Sequence, residues 1–273
     1  MTPRELDAAR AVAEQAAVEA GALLRRVARD LASLDVDEKA PGDVASRADR
    51  EAEALLRARL AEWYPRFGFV GEEGGGTLDA NAPQWIVDPL DGSLNFVRGY
   101  PAWAVSVALL VDGEPVVGVV HDPCRGETFS AAAGGGLHLG GVDVDGVVAG
   151  GARGSRAGEL SRALVGTVFP KPGSARWPQF LGEFGRVAPR VAGVRRCGAM
   201  ALELAHLAAG RLDAFWEHDM APWDAAAGLV LLRESGLRWL ARDGRPWHDS
   251  RSLAAAGPAL LDAFVDALEG SAP

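Results

Sequence analysis

"DPLDGSLNF", residues 88–96, sets Asp88 and Asp91 on either side of a Pro-Leu pair and follows them at once with Gly92-Ser93. Two carboxylates this close repel each other unless something positive lies between them. Pro89 fixes its own φ and stiffens the turn, so both carboxylates can point the same way, with the Leu90 carbonyl as a further oxygen. The stretch also admits a plain turn reading, because Asp, Pro and Gly are all turn formers. If a helix begins after Gly92, its free N–H groups offer an anion site beside the cations.

Outward from this stretch, "QWIVDPLD" (84–91) and "FGFVGEE" (67–73) are short β-like runs that end in acids. "AVSVALLV-DGEP-VVGVVHD" (104–122) predicts a hairpin. The spacing of Leu6, Ala9, Ala13, Ala16, Ala20, Leu23, Leu24 and Val27 predicts a helix over 4–31, and Leu55, Leu56 and Leu60 a second over 47–62, with "KAPGDVAS" as the break between them. The Gly-rich run 131–158 is the candidate subdomain boundary. It predicts an N-terminal unit over 1–150 and a C-terminal unit over 151–273. Beyond it the pattern gives a strand near 163–169, a helix near 199–209, a strand at "RLDAFWE" (211–217), a helix near 224–235, a strand at "LRWLA" (237–241) and a last helix near 258–269. This mixed order predicts an α/β layered sandwich.

With 48% hydrophobic and 24% charged residues, the 273-residue chain can bury a sizeable core. A net charge of −9 without a Lys/Arg block disfavours nucleic acid as partner. No apolar run is long enough to span a bilayer, and the charged start "MTPREL" lacks a signal-peptide core. Cys124 and Cys197 match no CxxC pattern. A cytoplasmic protein is expected.

Four acidic groups stand out: Asp49 in "SRAD", Glu72 and Glu73 in "GEE", Asp88 and Asp91, and Asp224 in "PWDAAAG". Each has a bland alternative, such as a helix cap, a dipole partner or a solvated charge. Together, with no His or Cys among them, they suit a hard cation such as Mg²⁺. The local motifs carry no phosphate-binding cation other than Lys39, so the metal must neutralise most of the charge. Of the five histidines (121, 138, 206, 218, 248), none reads as a ligand; His218 is the nearest candidate, beside Glu217.

"GEEGG" (71–75), "WIVDPLDGSLNFVRGYPAWAVSVALLVDGEPVVGVVHDP" (85–123) and "PWDAAAGLVLLRESG" (222–236) resemble, in order and spacing, the signatures of the inositol monophosphatase family of Mg²⁺-dependent, lithium-sensitive phosphatases. The resemblance spans essentially the whole chain. It implies a layered α-β-α-β-α sandwich of the inositol monophosphatase/fructose-1,6-bisphosphatase type, a homodimer, and two to three Mg²⁺ ions. It assigns Glu72, Asp88 and the Leu90 carbonyl to the first ion, Asp88, Asp91 and Asp224 to the second, and Glu72 through water to a third. Asp49 and Ser93 would orient the attacking water, with Glu72 also catalytic. Asp91, Gly92, Ser93, Met200, Glu217 and Asp224 would face the substrate, an inositol monophosphate or a related polyol or sugar phosphate. Histidinol phosphate, fructose 1,6-bisphosphate and adenosine 3′,5′-bisphosphate are rivals within the same chemistry. A regulatory protein that binds the transcription or translation machinery is the alternative from another class. The chain departs from the family pattern at Ser93 and Leu94, where two threonines are usual, at Met200, where a smaller residue is expected, at Ala221, where some members carry histidine, and in the Gly-rich run, which lacks the usual "NG" turn.

Overall fold

A capping box formed by Thr2 and Glu5, with Pro3 in the first turn, starts helix α1 (Pro3–Val27). In the computed structural model, which describes residues 1–34, 36–40, 43–141 and 157–270, α1 stops short of the expected residue 31. The chain tightens into 3-10 turns over Ala28–Ser33, where Asp30 leaves helical geometry (φ −140°, ψ 65°). The expected break holds a small hairpin instead, β1 (Val36–Ala40) with β2 (Asp43–Ser46). Helix α2 (Arg47–Trp63) follows.

Strands β3 (Gly68–Gly71) and β4 (Gln84–Asp91) pair in parallel. After the short helix α3 (Ser93–Val97) come β5 (Ala104–Val111), β6 (Glu114–Asp122), β7 (Glu127–Ala132) and β8 (Gly136–Gly141). They complete an antiparallel run and a six-stranded sheet in chain order. The β5–β6 hairpin agrees with the sequence pattern; the Gly-rich run, open in sequence to a flexible loop or to tight-turned hairpins, contributes β8, which pairs with β7 just before it. The expected subdomain boundary at residue 150 lies outside the described residues.

The second sheet uses β9 (Leu164–Thr167), β10 (Gly193–Arg195), β11 (Ala214–His218), β12 (Arg238–Ala241) and β13 (Ser252–Ala256), in the order β10-β9-β11-β13-β12. Helices α4 (Trp177–Val187), α5 (Met200–Ala208) and α6 (Pro222–Glu234) are threaded between them, and α7 (Leu261–Glu269) follows β13. The sequence pattern missed α4, β10 and β13. Gly236, expected just past α6, has φ +77° there and ends the helix.

Three apolar cores define the layers. Leu6, Leu24, Leu56 and Leu60 of α1 and α2 pack on Val105, Val107 and Val119 of the six-stranded sheet. Leu202, Leu204, Val230 and Leu231 of α5 and α6 lie between the two sheets with Ile86, Ala108 and Phe215. Phe180 of α4 and Phe264 of α7 cover the far face of the second sheet against Trp216. The order is α-β-α-β-α, as expected. Gly118 lets α6 lie directly on β6, since a Cβ there would strike the Ala227 carbonyl.

Candidate active site

In a regular strand, residues three apart face opposite sides of the sheet. Asp88 pairs with Ser106 and Asp91 with Ala104, so Pro89 and Leu90 together oppose Val105 alone. This bulge turns both aspartates into one cleft. Pro89 has no N–H to lose there. The chain then needs a sharp exit. Gly92 provides it with φ +89°, and a Cβ at that position would come within 2.9 Å of the Ala102 carbonyl.

The cleft, of about 330 Å³, is lined by Glu72, Asp88, Leu90, Asp91, Gly92, Ser93, Met200, Glu217 and Asp224. All the residues expected at the site therefore converge except Asp49, which reaches it through Ser93. Ser93 Oγ donates to Asp49 Oδ1 at 2.7 Å and lies 2.8 Å from the Leu90 carbonyl. Asp49 Oδ2 accepts from the Ser46 amide at 2.7 Å and from the Ser46 hydroxyl at 2.6 Å, in a capping box at the start of α2. Asp49 thus serves the start of α2 with one oxygen and meets Ser93 with the other. Ser93 makes no capping bond to α3, whose N-cap is Gly92.

The other acids are anchored by backbone amides. Asp88 Oδ1 accepts from Leu90 N at 3.0 Å. Asp91 accepts from Met200 N at 3.0 Å and Leu202 N at 3.2 Å, so it caps α5 across the two halves of the chain. Asp224 Oδ2 accepts from Ala221 N at 2.7 Å. Asp224 thus sits in the first turn of α6 rather than at its cap position. Burial pushes Asp91 and Asp224 up to about 7 even against these hydrogen bonds. Burial also raises Asp88 well above the usual carboxylate range, helped by repulsion from Glu72, Asp91 and Asp224. Glu217 is raised in the same way, first by burial and then by Asp224 and Asp91.

Packed carboxylates that resist ionisation form a site built for positive charge. The donors lining it are carboxylate and carbonyl oxygens, with no His or Cys among the described lining residues, which fits a hard divalent cation. A second group, Asp122, Glu127 and His206, has donor atoms within 4.8 Å of one another. There Arg125 already pairs with Asp122 at 2.8 Å and Arg211 with Glu127 at 2.6 Å, so those charges are balanced within the protein.

Sequence reasoning missed three contributors. Glu53 is 4% exposed and accepts from the amides of Glu73 and Gly74, both at 2.8 Å, which shapes the loop that presents Glu72. Gly71 and Gly74 leave room for it, since a Cβ on either would strike its carboxylate. The available signal was its place one helical turn after Asp49. Asn95 donates to the Ala102 carbonyl at 2.7 Å and the Cys197 carbonyl at 2.8 Å, tying α3 to the approach to α5. Finally, Phe169, Lys171, Trp177 and Arg196 line the outer cleft, with Arg196 stacked 5.1 Å over the Phe169 ring. The cations absent from the local motifs come from this segment. The side chain of Lys39, the cation considered for the phosphate, lies outside the described residues.

Residues 5–271 match the model of the inositol monophosphatase family. An inositol-1-monophosphatase of Rhizobium meliloti is 44% identical over 223 residues, which cover 81% of each chain. The Nus factor SuhB of Pseudomonas aeruginosa is 39% identical over 82% of each. The crystal structure of the extragenic suppressor protein suhB from Bartonella henselae superposes with a TM-score of 0.87 at 34% identity, covering 96% of this chain and 98% of that one. The bulged Asp88–Asp91 strand, the Ser93–Asp49 pair and Asp224 on α6 thus stand in a chain matched over nearly its full length, and the protein belongs to the inositol monophosphatase family.

Proposed function

We propose that the protein is a Mg²⁺-dependent phosphomonoesterase that hydrolyses inositol monophosphate or a related polyol phosphate. The observation that carries this reading is the convergence of Glu72, Asp88, Asp91 and Asp224 beside a serine hydroxyl already committed to a carboxylate. The inositol-1-monophosphatase relative supports the substrate class.

Glu72, Asp88 and the Leu90 carbonyl would hold one ion and Asp88, Asp91 and Asp224 a second, with Glu72 reaching a third through water. Bound divalent cations neutralise phosphate charge and lower the pKa of water toward roughly 7. The chain's own residues then provide position. Ser93 gives its proton to Asp49, so the Oγ lone pairs are left to accept from the attacking water and aim it. The Gly92–Ser93 backbone, free of a Cβ at Gly92, offers amides to the phosphate. Glu217 meets the hydroxyls of the leaving alcohol. In this reading the enzyme is a cytoplasmic, lithium-sensitive homodimer. Among the described residues no helix is long and apolar enough to cross a membrane.

A second reading follows from the relative named a Nus factor: a regulatory partner of the transcription machinery. Phosphate release from inositol 1-phosphate, with and without Mg²⁺, separates the two. Turnover that needs Mg²⁺ and stops in excess chelator is expected. No turnover with any polyol phosphate at saturating Mg²⁺ would favour the regulatory reading.

A further inference from the structure

Glu217 differs from the three aspartates of the cleft. Asp88, Asp91 and Asp224 are each held by backbone amides. Among the described residues Glu217 Oε2 is fully buried and has no hydrogen-bond partner. Its place is therefore set by its strand and by what packs behind that strand.

Successive residues of β11 face opposite sides of the sheet. Phe215 packs toward α5 and α6 and Trp216 toward α4 and α7. Glu217 accordingly enters the cleft, and His218 points away from it into α4. His218 is 1% exposed, with Nε2 2.8 Å from Glu183 Oε2 and Nδ1 3.0 Å from the hydroxyl of Ser252, its partner on β13. A carboxylate only accepts, so Nε2 carries the hydrogen. Glu183 Oε1 also accepts from Arg242 at 2.7 Å and from Gln179 at 3.0 Å. Ser252, His218 and Glu183 have the residue types of a nucleophilic triad, but all are buried and none lines the cleft.

Such a network adds little net stability over well-packed apolar residues of equal volume, because desolvation offsets the attraction. What it fixes is geometry, since one arrangement satisfies every donor and acceptor. Glu183 belongs to α4, whose first residue, Trp177, lines the outer cleft. One carboxylate thus joins the strand that carries Glu217 to the helix whose first residue lines the outer cleft. We infer that Glu183 and His218 form a positioning pair that sets substrate selection, by fixing how deep Glu217 sits against the hydroxyls of the leaving alcohol. The inference rests on the phosphatase reading above.

Steady-state kinetics on inositol 1-phosphate and on phenyl phosphate, whose alcohol has no further hydroxyl, test it. Glu183→Gln should raise KM for inositol 1-phosphate about tenfold, the scale of one charge-assisted hydrogen bond, and leave KM for phenyl phosphate unchanged. Glu217→Gln, which alters the carboxylate itself, should cut the kcat/KM preference for inositol 1-phosphate over phenyl phosphate at least as far, and the double variant should lower that preference no further than Glu217→Gln alone. Ser252→Ala, a milder cut in the same chain of bonds, should give the same selectivity at smaller amplitude, so the test survives if Glu183→Gln does not fold. Equal losses on both substrates, additive losses in the double variant, or no selectivity change in Ser252→Ala would overturn the pair's role. Wild-type protein inactive on both substrates would overturn the phosphatase reading, and the inference with it.

Discussion

Ser93 has one proton and two acceptors in reach, Asp49 Oδ1 at 2.7 Å and the Leu90 carbonyl at 2.8 Å. A carboxylate oxygen is a stronger acceptor than a backbone carbonyl. That choice leaves the Leu90 carbonyl free for a cation and the Ser93 lone pairs free for water. Ser93→Ala should lower kcat by about 10²–10⁴-fold with little change in KM, the range of a lost acid–base or orienting group. Ser93 caps nothing, so the stability loss should be limited to the hydrogen bond given up by the buried Asp49, about 1–3 kcal/mol. Ser93→Thr should keep the hydroxyl and most of the rate. Assays of kcat alongside thermal melts decide, and an active Ala variant with a lowered melting temperature would remove the orienting role. Asp91→Asn should reduce phosphate release below detection while the far-ultraviolet circular dichroism stays native. The amide retains one oxygen for the α5 amides but loses the charge, at a stability cost of about 1 kcal/mol.

Helix α2 acts as a bracket for two parts of the site. Asp49 and Glu53 lie one turn apart on its buried face. Asp49 holds Ser93, and Glu53 holds the loop after β3 that presents Glu72. Glu53→Ala leaves the part-buried Glu73 and Gly74 amides without their acceptor, at a cost of about 0.5–1.5 kcal/mol for each lost hydrogen bond. The loop should loosen around Glu72. The Mg²⁺ concentration for half-maximal activity should rise at least several-fold, while kcat at saturating Mg²⁺ falls less. A Mg²⁺ titration of the initial rate measures both. An unchanged half-saturation point would mean that Glu53 serves stability alone.

Across the whole molecule, the acids of the cleft make stability depend on pH and on cation. Asp91 and Asp224 are held up to about 7 in the metal-free fold, chiefly by burial, and Asp88 and Glu217 are raised as well. In the unfolded chain, carboxylates release their protons near pH 4, roughly. Between these limits the folded protein binds more protons than the unfolded one, so metal-free stability falls as pH rises from about 4 through about 7. A cation that binds only the folded state reverses the trend, because it takes the place of those protons. Melts in chelator should therefore drop from pH 5.5 to pH 8, and Mg²⁺ should raise the melting temperature more at pH 8 than at pH 5.5. Parallel curves with and without Mg²⁺ would rule out the cleft acids as its ligands.

The sequence alone carried the local chemistry: Pro89 between two aspartates, Gly92 after them, and the helical and alternating spacings that gave α1, α2 and the β5–β6 hairpin. Each of these is decided within a few residues, by φ restriction, turn chemistry or the period of burial. What the sequence left open were several elements and contacts that depend on a distant neighbour. β7, β10 and β13 are short and are strands because an adjacent strand supplies their hydrogen bonds. The bulge that turns Asp88 and Asp91 to one face exists only against β5. Glu53 reads as one more solvated helix charge until its partners 20 and 21 residues away are in place. Arg196, Lys171 and Trp177 belong to no acidic motif, yet they close the cleft because the second sheet carries them to its mouth. His218, beside Glu217 in the chain, faces away from the cleft because alternate residues of a strand point to opposite sides, and which side held the site was decided by the packing of α5 and α6 between the two sheets.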